Sequence, residues 1–222
     1  MSKFAWSYSS LDLFKQCPHK YFRLKVKKDV KEPYSQHLVY GNELHKAAEH
    51  FVRDNTPLPD KFAFAKEALE VLRGREGQHL CEYRMGLTRD LEPCGFSDAV
   101  VWWRGIADLL TLQGDRAYIV DYKTGASSKY ADTKQLEILA LAVFKHFPYV
   151  QRIKAGLLFV NANDFVPTSF EADQQTVRWE QWIEDASRLE QSIKLDVWNP
   201  RPNFTCKAWC PVLDCTHNGK GA

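Results

Sequence analysis

Two apolar strands joined by a tight turn constrain the fold of this chain more than any other feature. Residues 98–112 are rich in strand-forming side chains, Gly114-Asp115 supply a two-residue turn, and a second strand follows over 117–123. Both strands are apolar on both faces, which predicts a sheet that is covered on both sides. In a hairpin of this length Asp108 faces Asp121, which places two carboxylates about 5 Å apart at the rim of an apolar sheet.

The facing carboxylates of Asp108 and Asp121 predict a metal site. Two such groups repel each other and resist burial, and a bound divalent cation, Mg²⁺ or Mn²⁺, removes both penalties. Lys123 points to the same face, where it can orient a water molecule or neutralise charge on a phosphoryl group. The alternative, a surface ion-pair cluster of these three residues, is less favoured because their strand is too apolar to be exposed. Glu82, on the preceding strand, is either a neighbour of this site or a solvent-facing residue.

Hydrophobic periodicity elsewhere predicts an α/β fold with a mixed central sheet flanked by helices. A capping box at Ser9 and Asp12 predicts a short first helix that ends before Pro18. The remaining helices are predicted at 35–54, 60–73, 131–146 and 173–195, and the remaining strands near Leu80 and at 153–161 and 165–170. The tail from Val197 is Pro-rich and irregular.

The six cysteines indicate a metal centre rather than a disulfide scaffold. Three of them lie in the last 17 residues, spaced as Cys206-x-x-x-Cys210-x-x-x-x-Cys215. In a reducing compartment such a cluster favours metal binding, and so few cysteines in so long a chain do not form a disulfide framework. Cys81 and Cys94 are expected to pack as small apolar residues.

Charge is informative only where it is concentrated. Thirty Lys and Arg against 28 Asp and Glu give a net charge of +2, so the chain has no global basic field that would favour nucleic acid. Residues 15–31 are locally basic and contain aromatic rings, which fits either a solvated face or a stripe that follows phosphates. The candidate DNA-binding residues in this stripe are Lys20, Tyr21, Arg23, Lys25, Lys27 and Lys28.

Five motifs in order resemble one nuclease family. Gly105-Ile106-Ala107-Asp108 followed by Asp121-Tyr122-Lys123-Thr124-Gly125 resembles the core of the PD-(D/E)XK nuclease superfamily, and more narrowly its RecB-like branch with the AddB-type and CRISPR-adaptation nucleases. Gly41-Asn42-Glu43-Leu44-His45 is similar to that branch's Gly-x-x-x-His helix, whose histidine is a metal ligand. Gln135 opens a segment that resembles its glutamine motif, although Leu139 stands where that motif has a tyrosine.

The cysteines extend the resemblance to both ends of the chain. In AddB-like and CRISPR-adaptation nucleases, one N-terminal and three C-terminal cysteines hold a [4Fe–4S] cluster, which implies Cys17, Cys206, Cys210 and Cys215 as ligands here. The first C-terminal gap is one residue longer than the commonest form of the motif. Structural Zn²⁺ is the alternative, because four thiolates also suit it, but zinc sites usually pair two Cys-x-x-Cys knuckles.

The resemblance implies a metal-dependent DNA nuclease with a restriction-endonuclease-like core. His45, Asp108, Asp121 and the backbone carbonyl of Tyr122 would hold Mg²⁺ or Mn²⁺, and Lys123 and Gln135 would complete the catalytic set. The expected organisation is one nuclease domain over 1–222, with a core at about 35–172 and cluster-binding ends at about 9–31 and 197–217. A metal cluster would join those N- and C-terminal segments.

The expected activity is that of an exonuclease that degrades or trims DNA ends and prefers single strands, in recombination, replication, repair or CRISPR adaptation with partner proteins of those pathways. The alternative is a non-catalytic DNA-binding or assembly subunit that keeps the nuclease fold. No membrane span or signal peptide is evident in the sequence, so a soluble protein is expected in the cytoplasm of a bacterial, archaeal or phage-infected cell.

Overall fold

A computed structural model describes residues 4–220 of the chain, which fall into two compact units. The sheet unit consists mainly of Gln36–Trp179, and the terminal unit combines Trp6–Ser35 with the described part of Glu180–Ala222. The helices, in chain order, are α1 (Tyr8–Gln16), α2 (Pro18–Tyr21), α3 (Gln36–Asp54), α4 (Lys66–Arg73), α5 (Lys134–His146) and α6 (Gln175–Leu195). None of the helices in residues 4–220 is long and apolar enough to cross a membrane.

The sheet unit contains one six-stranded mixed sheet with the strand order β2-β1-β3-β4-β5-β6. The strands are β1 (Gln78–Leu87), β2 (Pro93–Cys94), β3 (Trp103–Gln113), β4 (Arg116–Lys123), β5 (Arg152–Phe159) and β6 (Asp164–Glu171). Among the strands in residues 4–220, only β4 and β5 are parallel neighbours, and α5 lies in the connection between them, as a crossover between parallel strands requires. The predicted mixed sheet flanked by helices is therefore confirmed.

The predicted hairpin register is confirmed over most of its length. β3 and β4 pair from Gln113↔Arg116 to Leu109↔Val120. The ladder ends there, so the predicted pairing of Asp108 with Asp121 does not form. Instead the backbone N–H of Tyr122 donates a hydrogen bond of 2.8 Å to Asp108 Oδ2, so a side chain takes the place of the strand backbone as acceptor.

Helices α3 and α4 bury one side of the sheet. Leu44 and Phe51 of α3 and Leu69 of α4 belong to the same buried cluster as Val120 and Tyr122 of β4. Helix α5 packs against β1, β3, β4 and β5, and it is apolar nearly all round because Leu136 and every residue from Ile138 to Phe144 are buried. These helices fix the positions of the side chains at the end of β4.

The terminal unit is held together by its own contacts. The side chain of Ser7 caps α1, so the predicted cap at Ser9 lies two residues too far along the chain. The rings of Trp6 and Trp182 stack with their centroids 6.3 Å apart, and Lys15 Nζ lies 2.5 Å from the buried carboxylate of Asp185. These contacts link residues from both ends of the sequence within this unit.

Candidate active site and cysteine cluster

Three side chains of the sheet unit converge in the spacing of a metal site. His45, Glu82 and Asp108 each offer one ligand atom, and these atoms all lie within 4.8 Å of one another. They come from α3, β1 and β3 respectively. A nitrogen and two carboxylate oxygens so placed can bind a divalent cation.

His45 is directed into this site by its position in the middle of α3. Its Nδ1 lies 3.3 Å from Asp108 Oδ2, and its Nε2 lies 2.9 Å from the backbone carbonyl oxygen of Tyr122. The ring also meets that of Tyr122 edge-on, at a centroid distance of 5.8 Å. The imidazole therefore contacts both the Asp108 carboxylate and the Tyr122 carbonyl.

Glu82 occupies an irregular position in β1. The β1–β3 ladder includes Cys81↔Leu109 and Tyr83↔Ala107 but omits the intervening step, at which Glu82 would pair with Asp108. Glu82 also has a positive φ of 50°, which is rare for a residue with a side chain and costs free energy. The break in the ladder turns the carboxylate into the site. The role of Glu82 was undecided from the sequence, where its only signal was a charged residue within a strand.

Asp121, Lys123 and Gln135 form the second half of the site. Asp121 is 4% exposed, and Lys123 Nζ lies 2.6 Å from its Oδ2 in a close ion pair. Lys123 Nζ donates to Gln135 Oε1 on α5 at 3.2 Å. Leu139, one turn further along α5, is buried, and its Cδ2 would lie 3.1 Å from a Cβ placed at Gly105.

The carboxylates destabilise one another in the absence of a cation. Burial and the charge of Asp108 raise the pKa of Asp121 to about 6, against the opposing effect of Lys123. Burial and Asp108 also raise the pKa of Glu82. Burial acts to lower the pKa of His45, but Asp108, and to a smaller extent Asp121, outweigh it and the pKa is raised. Each shift has the direction expected of a site with excess negative charge.

The residues present fit a divalent cation. The ligand atoms of His45, Glu82 and Asp108 lie within 4.8 Å of one another, and the charge of Asp108 also acts on the buried carboxylate of Asp121. Oxygen ligands supplemented by one imidazole suit Mg²⁺ or Mn²⁺. Such a cation can act as a Lewis acid on a phosphodiester, while Lys123 supplies a positively charged donor beside it.

The four cysteines predicted to hold a cluster lie together in the terminal unit. Cys17, Cys206, Cys210 and Cys215 line one small cavity, and all four are free thiols. Backbone N–H groups of Lys20 and Arg201 donate to Cys17 Sγ at 3.5 and 3.4 Å, and that of Asn203 donates to Cys206 Sγ at 3.4 Å. Hydrogen bonds of this kind stabilise thiolates that bind metal.

The spacing of the four sulfur atoms bears on which metal they fit. Within residues 4–220, no three cysteine sulfurs lie within 4.8 Å of one another. A tetrahedral zinc ion with bonds of about 2.3 Å would place its sulfur ligands about 3.8 Å apart. The four thiols are therefore not already held at the spacing of a single zinc site.

The predicted basic stripe is only partly available to a ligand. Tyr21 is 7% exposed and packs edge-on against Phe14, so its ring is not open to a stacking base. The guanidinium of Arg23 is paired with the carboxylates of Asp29 and Asp214. Lys20 is partly exposed, and Lys25, Lys27 and Lys28 are exposed, with Lys27 paired to Asp29.

Comparison with known protein families identifies the superfamily. Residues 5–215 match the family described as the PD-(D/E)XK nuclease superfamily. The chain belongs to the PD-(D/E)XK nuclease superfamily. Nucleases of this superfamily are metal-dependent phosphodiesterases that use Mg²⁺ or Mn²⁺, which agrees with the convergence of His45, Glu82 and Asp108. Some members of the PD-(D/E)XK superfamily are inactive.

Solved structures share the PD-(D/E)XK fold with this chain. The crystal structure of SSO0001 aligns with a TM-score of 0.53 at 14% identity and covers 98% of this chain and 89% of its own. A protein from Eubacterium rectale, named "putative exonuclease", aligns with a TM-score of 0.55 at 16% identity, over 94% of this chain and 87% of its own. No curated protein matches the sequence.

Proposed function

We propose that this protein is a RecB-like, metal-dependent DNA exonuclease that degrades or trims DNA ends and prefers single strands. The observation that carries the proposal is the intact set of His45, Asp108, Asp121 and Lys123 at one end of the sheet, in a chain of the PD-(D/E)XK superfamily. The "putative exonuclease" that shares the fold supports the exonuclease assignment.

Each side chain has a defined role in this proposal. His45, Asp108, Asp121 and the carbonyl oxygen of Tyr122 hold the divalent cation, with Glu82 as a further carboxylate beside them. The bound Mg²⁺ or Mn²⁺ supplies Lewis-acid polarisation of the scissile phosphodiester.

Lys123 is the positively charged donor of the proposed site. Its ammonium group orients the attacking water and stabilises the negative charge that develops on the phosphoryl oxygens. Gln135 is a positioning residue, because its Oε1 accepts a hydrogen bond from Lys123 Nζ and restricts the direction in which the ammonium group points. The exposed lysines of the basic stripe, Lys25, Lys27 and Lys28, contact DNA phosphates in this proposal.

The cysteine cluster is proposed to bind a [4Fe–4S] cluster with a structural role. Cys17 is far in sequence from Cys206, Cys210 and Cys215, so a shared cluster closes a loop of nearly the whole chain and restricts the unfolded state. The backbone hydrogen bonds to Cys17 and Cys206, and a cysteine spacing without Cys-x-x-Cys knuckles, support this assignment over zinc.

A non-catalytic DNA-binding subunit is the second candidate, because some members of the superfamily are inactive. The ion pair between Lys123 and Asp121 and the hydrogen bond to Gln135 favour the enzyme, since a merely structural nuclease fold has no need to keep these groups together.

The exonuclease assignment is tested with linear and circular single-stranded DNA of the same sequence. An exonuclease degrades the linear strand in Mg²⁺ and leaves the circular strand intact, because only the linear strand has ends. Cleavage of both at equal rates would show an endonuclease, and cleavage of neither would favour the non-catalytic alternative.

A further inference from the structure

A groove on the sheet unit lies outside the candidate active site. Its cavity volume is about 540 Å³, and it follows the side of the sheet to which Val120 points. The register places Tyr118, Lys154 and Ser169 in one row across β4, β5 and β6. The next row toward the end of β4 consists of Val120, Gly156 and Pro167.

Gly156 makes room for an aromatic ring that lines this groove. A Cβ at this position would lie only 2.0 Å from the ring of Phe165, so the ring occupies the space above the glycine. Phe165 is 47% exposed, and it therefore presents an open aromatic surface at one side of the groove. Leu72 of α4 lines the groove as well.

Two cations stand at the other end of the groove. The guanidinium carbon of Arg75 lies 4.1 Å from the centroid of the Tyr118 ring, which is a cation–π contact. A guanidinium stacked in this way keeps its N–H edge free to donate. Lys154 is exposed and neighbours Tyr118 on the adjacent parallel strand. No carboxylate lines the groove, and none in residues 4–220 pairs with Arg75 or Lys154.

We propose that this groove binds a segment of single-stranded nucleic acid. Arg75 and Lys154 contact its phosphates, and Phe165 provides a surface on which a base stacks. The groove combines two cations that have no carboxylate partner with an open aromatic ring. These match the two parts of a nucleotide, the anionic phosphate and the flat base. The inference rests on the proposed nuclease function for the identity of the strand. Tyr118 precedes Asp121 by three residues on β4, about 10 Å along the strand, and the two side chains point to opposite faces of the sheet. A strand bound in the groove therefore reaches the active site only around the end of the sheet.

The experiment measures equilibrium binding by the full-length protein in EDTA, which prevents cleavage. The probes are an oligothymidylate and an abasic strand of the same length and charge. The Arg75→Gln/Lys154→Gln variant should bind the oligothymidylate roughly tenfold more weakly, and its slope of log affinity against log salt should be smaller by about 1.4, since each phosphate contact on a single strand contributes about 0.7. Phe165→Ala should lose roughly fivefold or more for oligothymidylate while its affinity for the abasic strand stays unchanged.

The matched control is the Lys66→Gln/Arg104→Gln variant. It removes one lysine and one arginine charge from the sheet unit, as the groove variant does, but at positions outside the groove. Like Arg75, Arg104 is exposed and stacks on an aromatic ring, that of Phe96, with its guanidinium carbon 5.5 Å from the ring centroid. This control should bind like the wild type. Unchanged affinity and salt slope in the Arg75→Gln/Lys154→Gln variant would overturn the inference, as would wild-type protein that binds no single strand in EDTA.

Failure of the groove and failure of the proposed function give different results. Wild-type protein that degrades DNA in Mg²⁺, together with groove variants that bind normally, would refute the groove and leave the nuclease assignment intact. If the wild type shows no metal-dependent cleavage, the nuclease assignment fails whatever the groove binds.

Discussion

Glu82 and Asp108 stand opposite each other on β1 and β3, at the one step that the ladder between Cys81↔Leu109 and Tyr83↔Ala107 omits. The positive φ of Glu82 marks this step as strained. Since the β3–β4 ladder also ends at Leu109↔Val120, the Asp108 backbone lies outside both ladders. Strained backbone is characteristic of functional sites, and here it brings a second carboxylate next to the side chains of His45 and Asp108.

The Glu82→Gln variant should bind Mn²⁺ roughly 10- to 100-fold more weakly than the wild type, because it removes a charged oxygen from the group. Without metal it should unfold at the same temperature or higher, since burial and Asp108 disfavour the ionised carboxylate. Calorimetric titration with Mn²⁺ and thermal unfolding in EDTA measure both effects. Glu67→Gln, an exposed change on α4, is the control. Unaltered Mn²⁺ affinity in Glu82→Gln would exclude Glu82 from the metal site.

The raised pKa of Asp121 predicts how stability without metal depends on pH. In the folded protein its pKa is about 6, above the unfolded value of 3.8, so between these values the folded state retains a proton that the unfolded state releases. The contribution of Asp121 to the unfolding free energy therefore falls as pH rises from about 4 to about 6 and is constant above that. The pKa of His45 is also higher in the folded state. Its contribution to the unfolding free energy therefore also falls as pH rises from 6.5 through its folded pKa.

Urea unfolding in EDTA across this pH range tests the assignment to Asp121. The unfolding free energy of Asp121→Asn, relative to that of the wild type, should rise between pH 4 and pH 6 because the variant has no carboxylate to ionise. Asp115→Asn, in the exposed hairpin turn, should track the wild type. A constant difference between Asp121→Asn and the wild type would mean that Asp121 titrates normally.

Gln135 should affect the chemical step rather than metal binding. Gln135→Met removes the acceptor for Lys123 Nζ, so kcat should fall about tenfold or more while Mn²⁺ affinity and the unfolding temperature stay near the wild-type values. Gln135→Glu should retain more activity than Gln135→Met, because it keeps an oxygen for the lysine. A loss of stability equal to the loss of activity would instead indicate a packing role.

The cysteine cluster predicts a coloured protein. Protein purified without oxygen should be brown, with broad visible absorbance and iron and sulfide in metal analysis. Cys17→Ser and Cys215→Ser should each lose the colour. Cys81→Ser should keep it, because burial, together with Glu49, raises the pKa of the Cys81 thiol to about 11 and disfavours a thiolate ligand. Cys94→Ser should also keep it. Stoichiometric zinc without iron would contradict the cluster.

Much of the fold followed from side-chain patterns that depend only on local periodicity. The alternation around Gly114-Asp115 gave the observed register from Gln113↔Arg116 to Leu109↔Val120, and the helical spacing near His45 gave α3. The strand predicted at 98–112 begins only at Trp103, since residues before it form turns in spite of their apolar side chains. Strand β2 was missed because two residues carry no periodic signal.

The site was less predictable where it depends on tertiary packing. The positive φ of Glu82 and the omitted ladder step depend on how β1 and β3 pair. No residue type in β1 requires either feature. Tyr21 looked like an exposed aromatic anchor among lysines, but Phe14 and Trp198 bury its ring. Charge and aromaticity in a linear run did not reveal which side chains face inward.

We propose above all that His45, Asp108, Asp121 and Lys123 form a metal-dependent DNA-hydrolysing site. The most direct measurement follows end-labelled single- and double-stranded DNA with the wild type, Asp108→Asn and Lys123→Met in Mg²⁺, Mn²⁺ or EDTA, with Asp115→Asn as the control. We predict that the wild type and the control shorten the DNA only with metal and cleave single strands faster. Both site variants should be folded and at least about 100-fold slower. Equal cleavage by the wild type in EDTA, or full activity of Asp108→Asn and Lys123→Met, would contradict the claim.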